Sequence, residues 1–429
     1  MTRRSFETRQ IHAGAQPDPA TGARATPIYQ TSSYVFTSAE HAADAFALRD
    51  LESHAYTRLS NPTSMVVEER LADLEDGLAA VAVASGQAAS ALALLNIARV
   101  GDHIVSAATL YGGTYNLFAY TFADMGITVD FVTEPDDPAA WRTALRPNTK
   151  AVYAESVGNP SGAVLDIAMV AAIAHEAGVP LVVDNTVPTP YLLRPLDHGA
   201  DIVVHSTTKF LSGHGNGIGG VVIDGGGFDF QDQPERWPQL NQPDPSYHGL
   251  VFGEEFGNLG YALRLRTKLV RDLGPAVSPF NSFLLLQGIE TLSLRMERHV
   301  SNAQAIAEWL DAQPQVEHVH YAGLPENPWY KAGKQYLPDG VGAVLAFELA
   351  TLDAGRRFVD GVKLFSHLAN IGDVRSLVIH PASTTHAQLD EAQQRASGVT
   401  PGLIRLSVGL EGVTDLIADL ARGLENASA

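Results

Sequence analysis

The chain has 429 residues, 45% of them apolar, no cysteine and a formal charge of −19. That size and apolar share can fill a large core split between two or more domains. The charge argues against nucleic acid and anionic membrane surfaces as partners, and the missing thiols exclude disulfides, thiolate metal sites and a cysteine nucleophile. The opening residues, Met1-Thr-Arg-Arg-Ser-Phe-Glu-Thr, lack the apolar segment of a signal peptide. No stretch approaches about 18 uninterrupted apolar residues, so a soluble, cytoplasmic protein is expected.

Residues 1–60 carry many polar and turn residues and read as an arm that packs on something else. Within it, Tyr56-Thr-Arg58-Leu-Ser-Asn-Pro62 ends in an Asn-Pro turn signal that opens a helix, with Val67, Leu71, Leu74 and Leu78 at helical spacing. Ala79 to Ala84 is a small apolar run that stops at Ser85-Gly86-Gln87, where the next helix pattern begins. A Ser-Gly pair at a helix start is either a plain N-cap or an anion site, because free N–H groups and the dipole both face outward.

From residue 102 strand and helix alternate. Strands are expected at His103–Ser106, Thr128–Val132, Ala151–Ala154, Pro180–Val183 and Ile202–Val204, with helices at Pro138–Leu145 and Ile167–Ala177. This order predicts an α/β fold with a mostly parallel sheet and helices on both faces. Ligands of such sheets bind beyond the carboxyl ends of the strands. Ser85, Tyr111, Asn159, Asp184 and Lys209 all lie just past expected strand ends, so one crevice can collect them.

Lys209 is one of six lysines (150, 209, 268, 331, 334 and 363), and it alone follows a buried strand. Ser206, Thr207 and Thr208 precede it, and a glycine-rich loop and the apolar run Val221–Ile223 come after. A lysine so placed is poorly solvated, which lowers its pKa and makes its amine the nucleophile that Schiff-base chemistry requires.

Residues 225–260 read as a long loop rich in Pro, Gln and aromatics, of the kind that is functional or part of an interface. From Asn281 to Ala312, apolar steps of three and four predict one long amphipathic helix. It leads into a smaller α+β domain, with strands at Val344–Glu348 and Ile404–Val408 and helices near 355–370 and 413–425.

Two motifs mislead. Gly215-Asn-Gly217-Ile-Gly-Gly220 fits the dinucleotide-binding glycine pattern but precedes a strand instead of opening a helix. His380 and His386 flank a proline in a loop, which favours satisfied hydrogen bonds over a metal pair, so no metal is expected.

Taken together, Tyr56-Thr-Arg58-x-x-Asn-Pro-Thr, Ser85-Gly-Gln-Ala, Leu110-Tyr-Gly-Gly-Thr, Glu155-x-x-x-Asn159-Pro, Val183-Asp184-Asn-Thr186, Ser206-x-Thr208-Lys209, His380-Pro-Ala-Ser-Thr-Thr-His and Arg405-Leu-Ser-Val-Gly occur in one order along nearly the whole chain. In this the sequence resembles the pyridoxal-phosphate enzymes of cysteine and methionine metabolism, of fold type I. The resemblance implies an arm over 1–60 that contacts a neighbouring subunit, a large cofactor-binding domain over 61–275 and a small C-terminal domain over 276–429. It implies pyridoxal 5'-phosphate as cofactor, held by Lys209 as a Schiff base, with Asp184 on the pyridinium nitrogen. The phosphate would lie on the N–H groups of Gly86 and Gln87 after Ser85, on Ser206 and Thr208, and on Tyr56 and Arg58 from the neighbouring subunit. Tyr111 would stack on the ring, Asn159 would bind its hydroxyl, and Thr186 would complete the cofactor contacts. Arg405, with Ser383 and Tyr56, would hold the substrate; an arginine grips a carboxylate in bidentate fashion.

Within that family, Trp237-Pro-Gln-Leu and Ser278-Pro-Phe-Asn-Ser-Phe-Leu-Leu-Leu-Gln-Gly look most like the O-acetylhomoserine sulfhydrylases. The implied reaction joins an O-acylhomoserine to sulfide or a thiol, in a homotetramer with shared active sites. Gly113 stands where methionine γ-lyases typically carry a cysteine, which counts against that alternative. A cystathionine-type synthase or lyase shares the scaffold. A non-catalytic cofactor-binding protein would be expected to have lost one of Lys209, Asp184 or Arg405.

Overall fold

The computed structural model describes residues 3–384 and 398–428. Seven strands form the larger sheet: β1 (Ala79–Val83), β2 (His103–Ala107), β3 (Thr128–Val132), β4 (Thr149–Glu155), β5 (Leu181–Asp184), β6 (Ile202–His205) and β7 (Gly220–Asp224). Their order is β1-β7-β6-β5-β4-β2-β3. β3, β2, β4, β5 and β6 run parallel, and β7 lies antiparallel between β6 and β1. Helices cover both faces, which is why Leu181-Val-Val183 and Ile202-Val-Val204 are unbroken apolar runs with every residue buried. The run at 79–84 is strand β1 at the sheet edge.

A second sheet contains β8 (His318–His320), β9 (Val344–Glu348), β10 (Ser366–His367), β11 (Leu377–Ile379) and β12 (Leu403–Ser407), in the order β10-β11-β12-β9-β8. The helices Leu352–Gly361 and Val413–Ser428 pack on each other beside it, with Phe358 against Gly423.

Three expectations change. The helix read near 355–370 stops at Gly361, because the buried Asp419 carboxylate accepts the backbone N–H groups of Lys363, Leu364 and Phe365. The helix read over 281–312 is two helices, Pro279–Ile289 and Leu292–Asp311. The Gly288 carbonyl, which would have accepted from Leu292, is taken by the Arg295 guanidinium at 2.7 Å and by the Thr291 N–H. The 225–260 segment is not an open loop: Trp237, Leu240, Tyr247 and Phe252 are buried in the core, and Arg236 ties it to the carbonyls of Thr149 and Ala177.

The N-terminal segment divides in behaviour. Helix Phe6–His12 docks on its own chain, through Arg9 to Asp73 and Asp76 and through Gln10, whose amide exchanges two hydrogen bonds with Ser293. Farther along, Val35, Phe46, Leu51 and Tyr56 stand exposed. Among the described residues no helix is long and apolar enough to cross a membrane.

Candidate active site

Strands β4, β5 and β6 end side by side. Glu155 pairs in register with Asp184, and Asp184 with Val204, so the residues that follow share one edge of the sheet. Asp184 Oδ1 accepts from the Thr186 N–H at 3.0 Å and the Thr186 hydroxyl at 2.5 Å, and Tyr153 OH reaches Oδ2 at 3.4 Å. Burial pushes the Asp184 carboxyl above its ordinary range, while the Thr186 bonds and the charge of His205 pull the other way. Thr186 Oγ1 also accepts from the Ser206 N–H at 2.8 Å, which clips the ends of β5 and β6 together.

Ser85 Oγ accepts from Ala88 N–H at 3.1 Å and caps the helix Gly86–Leu95. A Cβ on Gly86 would stand 2.5 Å from Ser206 Cβ, and one on Gly220 would collide with the Ser85 carbonyl. Glycine at both places lets the helix start, Ser206 and the loop after Lys209 converge. Thr208 Oγ1 pins that loop, donating to the Gly219 carbonyl at 3.2 Å and accepting from its N–H at 3.1 Å.

Lys209 follows. Its Nζ donates to Asn370 Oδ1 at 2.5 Å, and burial followed by the charge of Arg405 lowers its pKa to about 8. The Asn370 carbonyl in turn accepts from Arg405 Nη2 at 3.0 Å, and Arg405 Nη1 lies 3.5 Å from Asn159 Oδ1. Arg405 Nε is buried without a partner among the described residues, and burial lowers the guanidinium to about 10. It therefore stays charged at neutral pH, with donor capacity to spare for an anion.

The Tyr111 ring is exposed over this edge, and its backbone N–H donates to Glu155 Oε1 at 2.5 Å. Burial, then the neighbouring Asp184 charge, pushes Glu155 well above the usual carboxylate range. The Gln87 side chain holds the same turn, donating to Gly113 O at 3.0 Å and accepting from Thr114 Oγ1 at 3.3 Å. A Cβ at Gly113 would stand 2.5 Å from the Tyr111 ring, so glycine there leaves the ring its place.

Ser383 lies on the turn Pro381–Ser383 after β11, the strand paired with β12 and Arg405. Its hydroxyl is 2.7 Å from His380 Nδ1, and His380 Nε2 is 2.7 Å from the Pro401 carbonyl. Both nitrogens of His380 are thus engaged; His386, the other half of the motif, lies outside the described residues. Tyr56 and Arg58 are exposed, with the guanidinium 5.3 Å from the ring centroid. Among the described residues the Arg58 side chain makes no hydrogen bond or ion pair.

Sequence reading missed Asn370, the buried Glu155 side chain beside Asp184, and a cluster beneath Asp184 formed by Glu75, Asn185 and His205. No sequence signal points to Asn370; in the structure Gly372, with φ +76° and a Cβ that would stand 2.5 Å from Phe210 N, brings its loop back to Lys209.

The site has the parts that pyridoxal phosphate requires: a buried amine, a buried carboxylate, and a glycine-lined helix start beside two hydroxyls. Residues 7–425 match the model of the Cys/Met metabolism PLP-dependent enzymes, and the chain belongs to that family. It is a PLP-dependent enzyme of fold type I. The chain is 52% identical to an O-acetyl-L-homoserine sulfhydrylase of Leptospira meyeri, covering 98% of this chain and 96% of that one. It is also 52% identical to a homocysteine synthase of Schizosaccharomyces pombe, covering 98% of each. A solved structure named for an O-acetylhomoserine (thiol)-lyase of Campylobacter jejuni, with a pyridoxyl-lysine phosphate, superposes with a TM-score of 0.95 at 39% identity, covering 98% of this chain and 100% of that one.

Proposed function

We propose that the chain catalyses γ-replacement on O-acetyl-L-homoserine, with sulfide displacing acetate to give L-homocysteine. The observation that carries this reading is the chain of contacts from the buried Lys209 amine through Asn370 to Arg405. It sets a proton-transferring nitrogen beside a carboxylate receptor, as an α-amino acid substrate requires.

When bound, pyridoxal phosphate supplies an electron sink for charge that develops on the substrate carbons. Lys209 is its covalent anchor, and the freed Nζ takes the proton from the substrate's α-carbon and helps to move one at the β-carbon. The pKa of about 8 leaves part of the amine neutral near physiological pH, as a base must be. Asp184, oriented by Thr186, would face the ring nitrogen. Gly86 and Gln87 N–H groups, Ser206 and Thr208 would hold the phosphate, with Ser85 capping the same helix. Tyr111 would lie on the ring face, and Asn159 would bind the ring hydroxyl. Arg405, aided by Ser383, grips the substrate carboxylate.

Tyr56 and Arg58 complete the phosphate and substrate pocket of a neighbouring copy, in a cytoplasmic homotetramer. Their exposure, and that of the apolar side chains Val35, Phe46 and Leu51 on the same stretch, supports this assignment. Incubation with O-acetylhomoserine and sulfide, following homocysteine, tests the reaction; no turnover at full cofactor occupancy would sink it. Succinyl-homoserine, methanethiol and cysteine as alternative substrates distinguish the related synthases, and release of 2-oxobutanoate would indicate a γ-lyase.

A further inference from the structure

On the reverse face of the sheet from Asp184 lies a cluster that the reaction as described does not use. Glu75 ends the helix Pro62–Glu75, His205 ends β6, and Asn185 directly follows Asp184; all three are 0% exposed. His205 Nε2 donates to Glu75 Oε1 at 2.6 Å, and Asn185 Nδ2 donates to the same oxygen at 3.0 Å. Asn185 Oδ1 accepts from Ser156 Oγ at 2.9 Å, and the Ser156 N–H and hydroxyl both reach the Asp184 carbonyl, at 3.0 and 3.2 Å. One carboxylate is thus connected through two side chains to the backbone of Asp184.

A buried polar group is costly unless it is hydrogen-bonded, and among the described residues Glu75 Oε1 is met by His205 Nε2 and Asn185 Nδ2, while Glu75 Oε2 and His205 Nδ1 have no partner. The strand register puts His205 one residue past the partner of Asp184.

We propose that Glu75 and His205 form a positioning pair that fixes the Asp184–Asn185 strand end, so that the Asp184 carboxylate keeps its aim at the cofactor's ring nitrogen. The inference rests on the reading of Asp184 given above. Glu75 and His205 do not touch the cofactor or the substrate.

The test uses Glu75→Gln, which keeps shape and an acceptor but removes the charge, His205→Asn, and Asp184→Asn as reference. Each is stripped of cofactor and titrated with pyridoxal phosphate, reading its dissociation constant and the pH midpoint of the visible absorbance band. Both variants of the pair should weaken cofactor binding by about tenfold, the usual effect of losing a residue that orients a ligand's direct partner, and move the midpoint in the same direction as Asp184→Asn. A purely space-filling role would leave Glu75→Gln unchanged on both readings; that result, with Asp184→Asn altered, overturns the pair alone. An unchanged Asp184→Asn overturns the reading of Asp184 itself. If the variants do not fold, wild-type protein labelled with 15N-histidine decides: a buried, hydrogen-bonded ring N–H signal that shifts when pyridoxal phosphate is added upholds the pair, and the absence of any buried ring signal that responds to the cofactor overturns it.

Discussion

Lys209 Nζ donates to the side-chain oxygen of Asn370 at 2.5 Å, across 161 residues of sequence. The same residue's carbonyl receives the Arg405 guanidinium, so Asn370 sets the spacing between amine and arginine. Asn370→Ala removes an acceptor for the amine, and a hydrogen bond to a charged group is worth about 1.5–3 kcal/mol. The expected outcome is a fall in kcat of roughly tenfold, with a smaller change in KM for the amino-acid substrate. Steady-state kinetics beside a circular dichroism spectrum checks this; unchanged kcat would refute the spacing role.

The depressed pKa of Lys209 has a direct kinetic signature. The rate at which apo-protein forms its visible cofactor band should rise with pH through about 8, as the amine loses its proton. Arg405 is the second cause of the lowering, after burial, so Arg405→Ala should move that rise to higher pH. The same variant should raise KM for the amino acid by about 10²-fold, since a buried charge partner of the carboxylate is gone. Stopped-flow mixing with pyridoxal phosphate at a series of pH values separates the two effects.

Gly86→Ala places a methyl group 2.5 Å from Ser206 Cβ, with Ser206 Cα 2.9 Å away. Backbone must shift on one side, at a cost of about 1–3 kcal/mol. The phosphate-facing helix start moves with it, so cofactor affinity should fall by roughly tenfold or more, read by equilibrium dialysis. Wild-type affinity in this variant would remove Gly86 from the proposed phosphate cradle.

Asp224 ends β7 as a buried carboxyl whose Oδ2 has no partner among the described residues, and burial raises it to about 7. A raised acid favours the folded state fully below its unfolded value near 4, and the benefit is lost as pH climbs through about 7. Above that the folded chain holds a desolvated charge next to Asp201. Asp224→Asn should therefore flatten the fall of thermal stability with rising pH over that window, with Tm higher than wild type by about 2 °C at pH 8. Calorimetry at pH 5 and pH 8 measures it, and an equal loss of stability at both would contradict the assignment.

Exposed Tyr56 and Arg58 give a prediction about assembly. Chains carrying Lys209→Ala and chains carrying Arg58→Ala should each be nearly inactive, yet a refolded mixture should regain activity, because one kind of hybrid interface holds an intact site. No recovery in a verified mixed oligomer would mean that Arg58 serves the site of its own chain.

Much of this site was legible because the sheet is covered on both faces. Runs such as Leu181-Val-Val183 had to be strands, and the polar residues at or just past their carboxyl ends border the crevice. Asp184 and Lys209 stood out for that reason. Asn370 did not, because it belongs to a distant loop that only tertiary packing returns to Lys209. The helix break at 290–291 was hidden for a related reason. Apolar steps continue through it, and only the buried Arg295 side chain, reaching back to Gly288, ends the first helix. The first sixty residues divide: Gln10 and Arg9 find partners within the chain, whereas Val35 and Tyr56 stand exposed.

The contacts around Lys209 also order events at the ribosome. The amine emerges with the parallel strands, but Asn370 and Arg405, which bind and depress it, come from the last part of the chain. Until that part is made, Lys209 lacks its Asn370 acceptor and the Arg405 charge that adds to the effect of burial on its pKa. With Lys209 as the proposed anchor, capture of pyridoxal phosphate would favour the nearly finished polypeptide over truncated chains.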